Sequence, residues 1–146
     1  MQTVRKNSKK RQALLDALYT SDEHPTAEML YNALKPMIPE LSLGTVYRNL
    51  SVLAEEGLIV SVGHINGQER YDAITQPHPH FVCKGCGTVM DIDLPDMVSP
   101  MYGFIEKNFN CAPLGHNLSI KGYCHKCMAR DERSINYERE NSSTAQ

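Results

Sequence analysis

Two pairs of cysteines constrain this chain more than any other feature. Cys83 and Cys86 form one C-x2-C motif, Cys124 and Cys127 form a second, and residues 87–123 lie between the two motifs. A C-x2-C turn places two thiolates about one tetrahedral edge apart, so two such turns complete a closed zinc site with four thiolate ligands. A single pair would leave a redox dithiol open as an alternative, whereas two pairs favour structural zinc.

Composition excludes several classes of protein. The chain has 146 residues, of which 41% are hydrophobic and 22% charged, enough apolar material for a modest core. It contains no apolar run of about eighteen residues, and the basic N-terminus from Met1 to Arg11 lacks the apolar stretch of a secretory signal. We therefore expect a cytoplasmic protein with reduced thiols, a setting in which cysteines bind metal more often than they form disulfides. The lone Cys111 is expected to have no role.

The first part of the chain, residues 1–73, predicts three helices. Leucines and other apolar residues recur at helical spacing in three segments. The second segment begins after Pro25-Thr26, and the third begins after Ser42, a good N-cap residue. Gly57 follows the third segment, where a left-handed C-cap is expected.

The residues after the third predicted helix favour a β-hairpin. Hydrophobicity alternates in 58–62 and 68–72, and the loop predicted over 63–67 contains Asn-Gly, a common hairpin-turn pair. Three helices and a hairpin indicate a winged helix-turn-helix. A small helical domain with an incidental hairpin is the alternative.

The polar face of the third helix favours DNA binding. Recognition helices enter the major groove with side chains that contact phosphates and base edges. The segment 5–11 adds five positive charges and no acid, which suits phosphate contact. Solvated polar faces are common, and the net charge of −2 gives no support. The candidate DNA-binding residues are Lys9, Lys10, Arg11, Thr45, Tyr47, Arg48 and Asn49.

The second part predicts a small α/β unit behind a hinge at 74–77. Strands are predicted at 80–83, 88–92 and 117–121, and a helix with Ser99 as N-cap carries an apolar stripe. Because the apolar content is large for so few residues, we expect a homodimer interface. The unit spans 78–128, and the polar segment 129–146 predicts a flexible tail. The fold class expected for the whole chain is α+β.

A second candidate metal site centres on His78-Pro79-His80. In an extended segment, residues two apart point to the same face, so both imidazoles can reach one ion. Asp72, Asp91 and His24 supply further donors, and this set suits Fe(II), Mn(II) or Zn(II). Each histidine could instead be a packing or surface residue. A non-haem iron enzyme is a rival class, but the sequence has no phosphate loop and no nucleophile with a base, so we expect no enzyme.

Five motifs in order make the chain resemble the ferric uptake regulator (Fur) family of bacterial repressors. The resemblance covers residues 8–128. The motifs are His24-Pro25-Thr26-Ala27-Glu28, Gly44-Thr45-Val46-Tyr47-Arg48-Asn49-Leu50, Arg70-Tyr71-Asp72, His78-Pro79-His80-Phe81-Val82-Cys83, and the paired C-x2-C motifs.

The resemblance implies a homodimeric winged-helix repressor that binds double-stranded operator DNA. It implies that structural Zn2+ is held by Cys83, Cys86, Cys124 and Cys127. It implies that a regulatory Fe2+ or Mn2+ is held by His24, Asp72, His78, His80 and Asp91. For DNA contact it singles out Tyr47 and Arg48, whereas packing between helices is the alternative role for Asn49.

The pair of aspartates at positions 72 and 91 resembles the peroxide-sensing (PerR) branch of the family. In that branch hydrogen peroxide reacts at the bound Fe(II), and the resemblance implies that His24 and His78 are the residues oxidised. An iron- or manganese-responsive repressor without peroxide chemistry is the alternative.

Overall fold

The computed structural model describes residues 8–130 and 132–142 and divides the chain into two compact units between Gln76 and Pro77. The elements of the first unit are α1 (Lys9–Tyr19), α2 (Ala27–Leu34), α3 (Leu43–Glu55), β1 (Val60–Ile65) and β2 (Gln68–Asp72). Those of the second are β3 (His80–Cys83), β4 (Val89–Asp91), α4 (Ser99–Phe109), β5 (Ser119–Gly122), α5 (His125–Met128) and α6 (Glu132–Ser142).

Side-chain caps fix the starts of the three helices in the first unit. Ser8, Thr26 and Ser42 each accept a hydrogen bond from the backbone amide three residues later, which satisfies a donor that the first turn would leave unpaired. The helices bury one face each around a common core. That core contains Leu14, Leu18, Leu30, Leu34, Val46, Leu50 and Leu53. The winged helix-turn-helix of the first unit follows from these helices and the β1–β2 hairpin.

The hairpin turn is shorter than predicted. Ile65 pairs with Gln68, so the loop consists of Asn66 and Gly67 alone, with φ of 54° and 78°. Two positive φ values match the tight hairpin turn that Asn-Gly favours. The prediction of a loop over 63–67 was wrong because Gly63, at φ 116°, lies in a bulge that β1 continues past.

The second unit is built on a three-stranded sheet in the order β4-β3-β5. β3 pairs antiparallel with β4, and the register sets His80 opposite Asp91. β3 and β5 run parallel, so the chain crosses over between them by way of α4.

The start of α4 differs from the prediction. Ser99 is already helical, and the N-cap position is Val98, which makes no side-chain cap hydrogen bond. Asp96 instead provides side-chain hydrogen bonds at the start of the helix. Its Oδ1 accepts from the backbone amides of Val98 and Ser99 at 3.1 and 3.0 Å. None of the described residues of α4 is buried, and Met101, Phe104 and Phe109 are exposed.

The segment predicted as a flexible tail, 129–146, contains helix α6. The helix buries Ile135, and the carboxylate of Glu138 accepts hydrogen bonds from Lys84 Nζ at 2.8 Å and from the Tyr123 hydroxyl at 2.9 Å. With a single buried apolar residue, the α6 sequence lacks the helical spacing of apolar residues by which helices are predicted. Residues 131 and 143–146 of that segment lie outside the described residues.

Among the described helices, none combines the length and the apolar character that crossing a bilayer requires.

Candidate functional site

The four paired cysteines meet at one point of the second unit. One Sγ from each of Cys83, Cys86, Cys124 and Cys127 lies within 4.8 Å of the others. Cys86 Sγ and Cys124 Sγ are 3.8 Å apart. A tetrahedron with Zn–S bonds of about 2.3 Å has an edge of about 3.8 Å, so the thiols fit a structural zinc ion in both number and spacing.

The backbone around Cys83 favours its thiolate. Burial raises the pKa of this thiol, but donation from the amides of Cys124 and Cys86, at 3.3 and 3.5 Å, outweighs burial and brings the pKa down to about 6. The hydroxyl of Thr88 lowers the pKa of Cys86. Hydrogen bonding to Cys83 raises the pKa of Cys127 to about 12. Four adjacent thiolates repel one another, and a divalent cation removes that repulsion.

Gly85 is required by the close approach of the two cysteine motifs. A Cβ at this position would lie 2.8 Å from Cys127 Sγ, closer than van der Waals contact allows. Gly87, which directly follows the first motif, has φ 74°. Glycine at position 85 therefore has a direct steric cause, and glycine at position 87 suits the positive φ.

In the first unit, His24 and Asp72 form a pair of potential metal ligands. His24 Nε2 lies 3.3 Å from Asp72 Oδ2, and the two residues are 4% and 7% exposed. Asp72 Oδ1 accepts from the amide of Ile74 at 2.8 Å, which fixes the carboxylate.

The backbone of His24 is held in an uncommon conformation. Its φ is 50°, in the left-handed region that few non-glycine residues occupy. Two residues of β2 hold the loop: the Tyr71 amide donates to Pro25 O at 3.2 Å, and Arg70 Nη1 donates to His24 O at 3.3 Å. The strand that ends in Asp72 therefore also positions His24.

In the second unit, two imidazoles converge on one carboxylate. Asp91 Oδ1 lies 2.9 Å from His78 Nε2 and 3.3 Å from His80 Nε2. The two rings have centroids 4.3 Å apart, as expected for residues two apart in an extended segment. Imidazole nitrogen and carboxylate oxygen are a donor set that suits Fe(II), Mn(II) and Zn(II).

The surface of α3 presents two of the predicted DNA-binding side chains. Tyr47 is 44% exposed and Arg48 is exposed. Tyr47 donates its hydroxyl hydrogen to Glu28 Oε1 at 2.8 Å, a contact between residues 19 positions apart that no local pattern reveals. Thr45 is half-buried and hydrogen-bonds Ser42.

Of the two roles predicted for Asn49, DNA contact and helix packing, the structure favours packing. It is 9% exposed, its Oδ1 accepts from Arg11 Nε at 3.3 Å, and its Nδ2 donates to Thr45 O at 2.9 Å. Because α1 packs against this face of α3, Asn49 connects the two helices and orients Arg11. Of the basic segment, Lys9 is exposed and Lys10 is half-buried, while its residues 5–7 lie outside the described residues.

A winged-helix unit, followed along the chain by a unit with a thiolate zinc site and a cluster of imidazole and carboxylate donors, defines a metal-responsive transcriptional regulator. Comparison with known proteins identifies the family of such regulators to which the chain belongs. The sequence model of the "Ferric uptake regulator family" matches residues 2–121. The chain belongs to this family and is a metal-responsive repressor. Regulators of the family are dimeric DNA-binding repressors.

Relatives from two branches of the family are similar to the chain. The "Peroxide operon regulator" of Bacillus subtilis is 34% identical over 123 residues, 83% of each chain. The "Ferric uptake regulation protein" of Campylobacter jejuni is 34% identical over 125 residues, 84% of this chain and 79% of the relative. The crystal structure of the Campylobacter jejuni peroxide stress regulator matches with a TM-score of 0.69 and 32% identity, covering 81% of this chain and 88% of that one.

Proposed function

We propose that this chain is a cytoplasmic homodimer that represses transcription when one regulatory Fe(II) or Mn(II) ion binds both ligand groups, and that peroxide relieves the repression. The ligands would be His24 and Asp72 from the first unit and His78, His80 and Asp91 from the second. The observation that carries the proposal is the convergence of donors within each unit: 3.3 Å for the His24–Asp72 pair, and 2.9 and 3.3 Å around Asp91.

The ion would act by coupling the DNA-binding unit to the unit that follows it. A ligand shifts a conformational equilibrium only by its difference in affinity for the two states. An ion with ligands from both groups binds most tightly where all five donors converge, and so favours that arrangement. The left-handed backbone of His24 and the burial of its ring preorganise the contribution of the first unit.

Peroxide sensing would follow from the ligand types. A bound Fe(II) would supply the redox chemistry that splits peroxide beside the imidazoles, and Mn(II) would not. The chain would contribute His24 and His78 as the groups oxidised. In the net reaction one peroxide oxygen converts a ring C–H to C–OH and the other leaves as water, and the resulting oxo-imidazole binds metal poorly because its ring nitrogens are protonated. Support comes from the similarity to peroxide regulators of other bacteria and from aspartate at both carboxylate positions.

An iron- or manganese-responsive repressor without peroxide chemistry is the second candidate. The observation that favours it is the equal 34% identity to the ferric uptake regulation protein of Campylobacter jejuni. Both candidates use the same ligands and the same DNA-binding face, and neither requires the chain to turn over a substrate.

The DNA-binding face would be formed by Tyr47, Arg48 and the basic residues at the start of α1. A helix that presents an exposed arginine and tyrosine suits base-edge contact, while lysines near a helix start suit phosphate contact. The exposed apolar side chains of α4, Met101, Phe104 and Phe109, would be covered by the second copy.

The test is Fe(II)-loaded protein treated with stoichiometric hydrogen peroxide, followed by peptide mass spectrometry and a DNA-binding assay. The proposal expects a mass gain of one oxygen atom on the peptides that hold His24 or His78, with loss of DNA binding. Mn(II)-loaded protein is the control and should keep both its mass and its affinity. Unmodified histidines with intact DNA binding after peroxide would favour the second candidate.

A further inference from the structure

The hydrogen bond between Tyr47 and Glu28 changes what Tyr47 can offer to DNA. Glu28 lies in the first turn of α2, and its Oε1 accepts the Tyr47 hydroxyl hydrogen at 2.8 Å. Glu28 is half-buried, whereas Tyr47 is 44% exposed on α3. The tyrosine therefore stands on the exposed face of the helix with its hydroxyl hydrogen directed to a neighbouring helix.

A phenolic hydroxyl has one hydrogen and two lone pairs. When the hydrogen is donated to Glu28, the lone pairs are what the oxygen has left for another partner. The carboxylate holds this arrangement firmly, because hydrogen bonds to an ionised acceptor are stronger than those between neutral groups. Accordingly, the hydrogen bond raises the pKa of Tyr47 and lowers that of Glu28, so the tyrosine stays protonated and the glutamate stays charged.

The bases differ in what they present to an acceptor. In the major groove, adenine N6 and cytosine N4 carry hydrogen-bond donors, whereas guanine presents the acceptors N7 and O6. Phosphate oxygens are also acceptors, and the negative charge of Glu28 repels them. A Tyr47 oxygen limited to accepting would thus favour adenine or cytosine amino groups over guanine and over the backbone.

We propose that Glu28 is a specificity-determining positioning residue, which makes Tyr47 a reader of base amino groups by holding its hydroxyl hydrogen. The inference rests on the proposed function in one respect, since it requires that Tyr47 meets DNA. Glu28 acts through Tyr47 and needs no base contact of its own. Without Glu28, the hydroxyl could rotate and donate to guanine O6 or to a phosphate, and the preference for amino groups would fall.

The experiment uses the Mn(II)-loaded full chain and duplexes that it selects from a random-sequence library. In a selected duplex, each adenine is replaced in turn by purine, which lacks the N6 amino group, and each cytosine by 2-pyrimidinone, which lacks the N4 amino group. The wild type should lose about tenfold in affinity at one position of each half-site, the size of a single good base contact. If no sequence is enriched, the proposed function fails before the inference is reached.

Variants then assign that loss to the two residues. In Tyr47→Phe, removal of the amino group should no longer change the affinity for DNA. Glu28→Ala should likewise reduce the difference in affinity between duplexes with and without the amino group. The double variant should behave like Tyr47→Phe alone, because Glu28 acts through the hydroxyl. Glu28→Gln, whose carbonyl oxygen still accepts the hydrogen, should retain the discrimination. Glu55→Ala, which removes an exposed carboxylate near the end of α3, is the matched control and should change nothing.

Two results would overturn the inference. One is Glu28→Ala that binds every duplex more weakly by a common factor while keeping the wild-type discrimination, which would make Glu28 merely structural. The other is a Tyr47→Phe variant that loses as much affinity as the wild type at every position where an amino group is removed, because the Tyr47 hydroxyl would then accept from none of these groups. Circular dichroism and Mn(II) affinity measured on each variant establish that the folded, metal-loaded protein is compared.

Discussion

His80 and Asp91 face each other across the β3–β4 pair, with His80 Nε2 3.3 Å from Asp91 Oδ1. The same oxygen lies 2.9 Å from His78 Nε2. The sheet register therefore sets the distance between His80 and Asp91, while His78 lies two residues before the start of β3. Such preorganised donors suit metal binding, in agreement with the proposed regulatory site.

Replacing Asp91 by alanine should remove metal-dependent DNA binding. The loss in Mn(II) affinity should exceed the roughly 10- to 100-fold that removal of an indirect partner of a ligand costs. Titration of Mn(II) followed by a DNA-binding assay measures both effects. Asp93→Ala, an exposed acid two residues away, should leave both near the wild-type level. Equal behaviour of the two variants would remove Asp91 from the regulatory site.

Gly85→Ala should destabilise the zinc unit. The added methyl would lie 2.8 Å from Cys127 Sγ, and overpacking of this kind costs about 1–3 kcal/mol. Thermal unfolding and the rate of zinc loss to a chelator measure the effect. The control is Gly115→Ala, where nothing lies within 4 Å of the added Cβ. It should be neutral or stabilising by about 0.4–1 kcal/mol. A stable Gly85→Ala protein with tightly bound zinc would contradict the packing described for the cysteine motifs.

Arg48→Ala should weaken binding to the selected DNA sequence more than binding to unrelated DNA. Arg48 is exposed on α3 beside Tyr47, a position suited to base-edge contact. Lys9→Ala should instead weaken both kinds of binding alike and reduce the salt dependence by about one phosphate contact. Affinities at several salt concentrations separate the two cases. An equal loss on both DNAs for Arg48→Ala would make it a phosphate contact.

Acid should loosen helix α6. The hydrogen bond from Lys84, followed by that from Tyr123, lowers the pKa of Glu138 below its ordinary value of 4.5. A lowered carboxylate pKa stabilises the folded state above the unfolded pKa, and that contribution disappears as pH falls through the folded value. The protection factors of the α6 amides, which correct for the slower intrinsic exchange in acid, should therefore fall below about pH 4.5, and Glu138→Gln should show lower protection already at neutral pH. Exchange of α6 that is the same in both proteins at neutral pH would contradict the assignment.

Local sequence signals were sufficient where spacing alone defines the structure. The paired C-x2-C motifs predicted the sulfur cluster: the two cysteines of each motif are close in any fold, and the four ligands of structural zinc predicted that the two motifs meet. Asn66-Gly67 predicted a hairpin turn, because its backbone preference is intrinsic to the two residues. The resemblance to the Fur family predicted a metal-responsive repressor, and the match to the family model confirmed the family.

The remaining features depend on tertiary contacts that spacing does not encode. Asn49 lies in the polar part of the α3 sequence, which predicts a surface position. In the fold, α1 covers it and Arg11 Nε donates a hydrogen bond to its side chain. Tyr47 meets Glu28 only because α2 packs against α3. Helix α6 has one buried apolar side chain, Ile135, so its polar sequence resembles a tail. In each case a partner distant in sequence decides the role of the residue.

The most direct test of the account is a crystal structure of the Mn(II)-loaded chain with anomalous scattering measured at the manganese edge. The account predicts one Mn(II) ion bonded to His24, Asp72, His78, His80 and Asp91 together. An ion bonded only to His78, His80 and Asp91, with His24 and Asp72 ligating nothing, would contradict the claim that a single metal couples the two units.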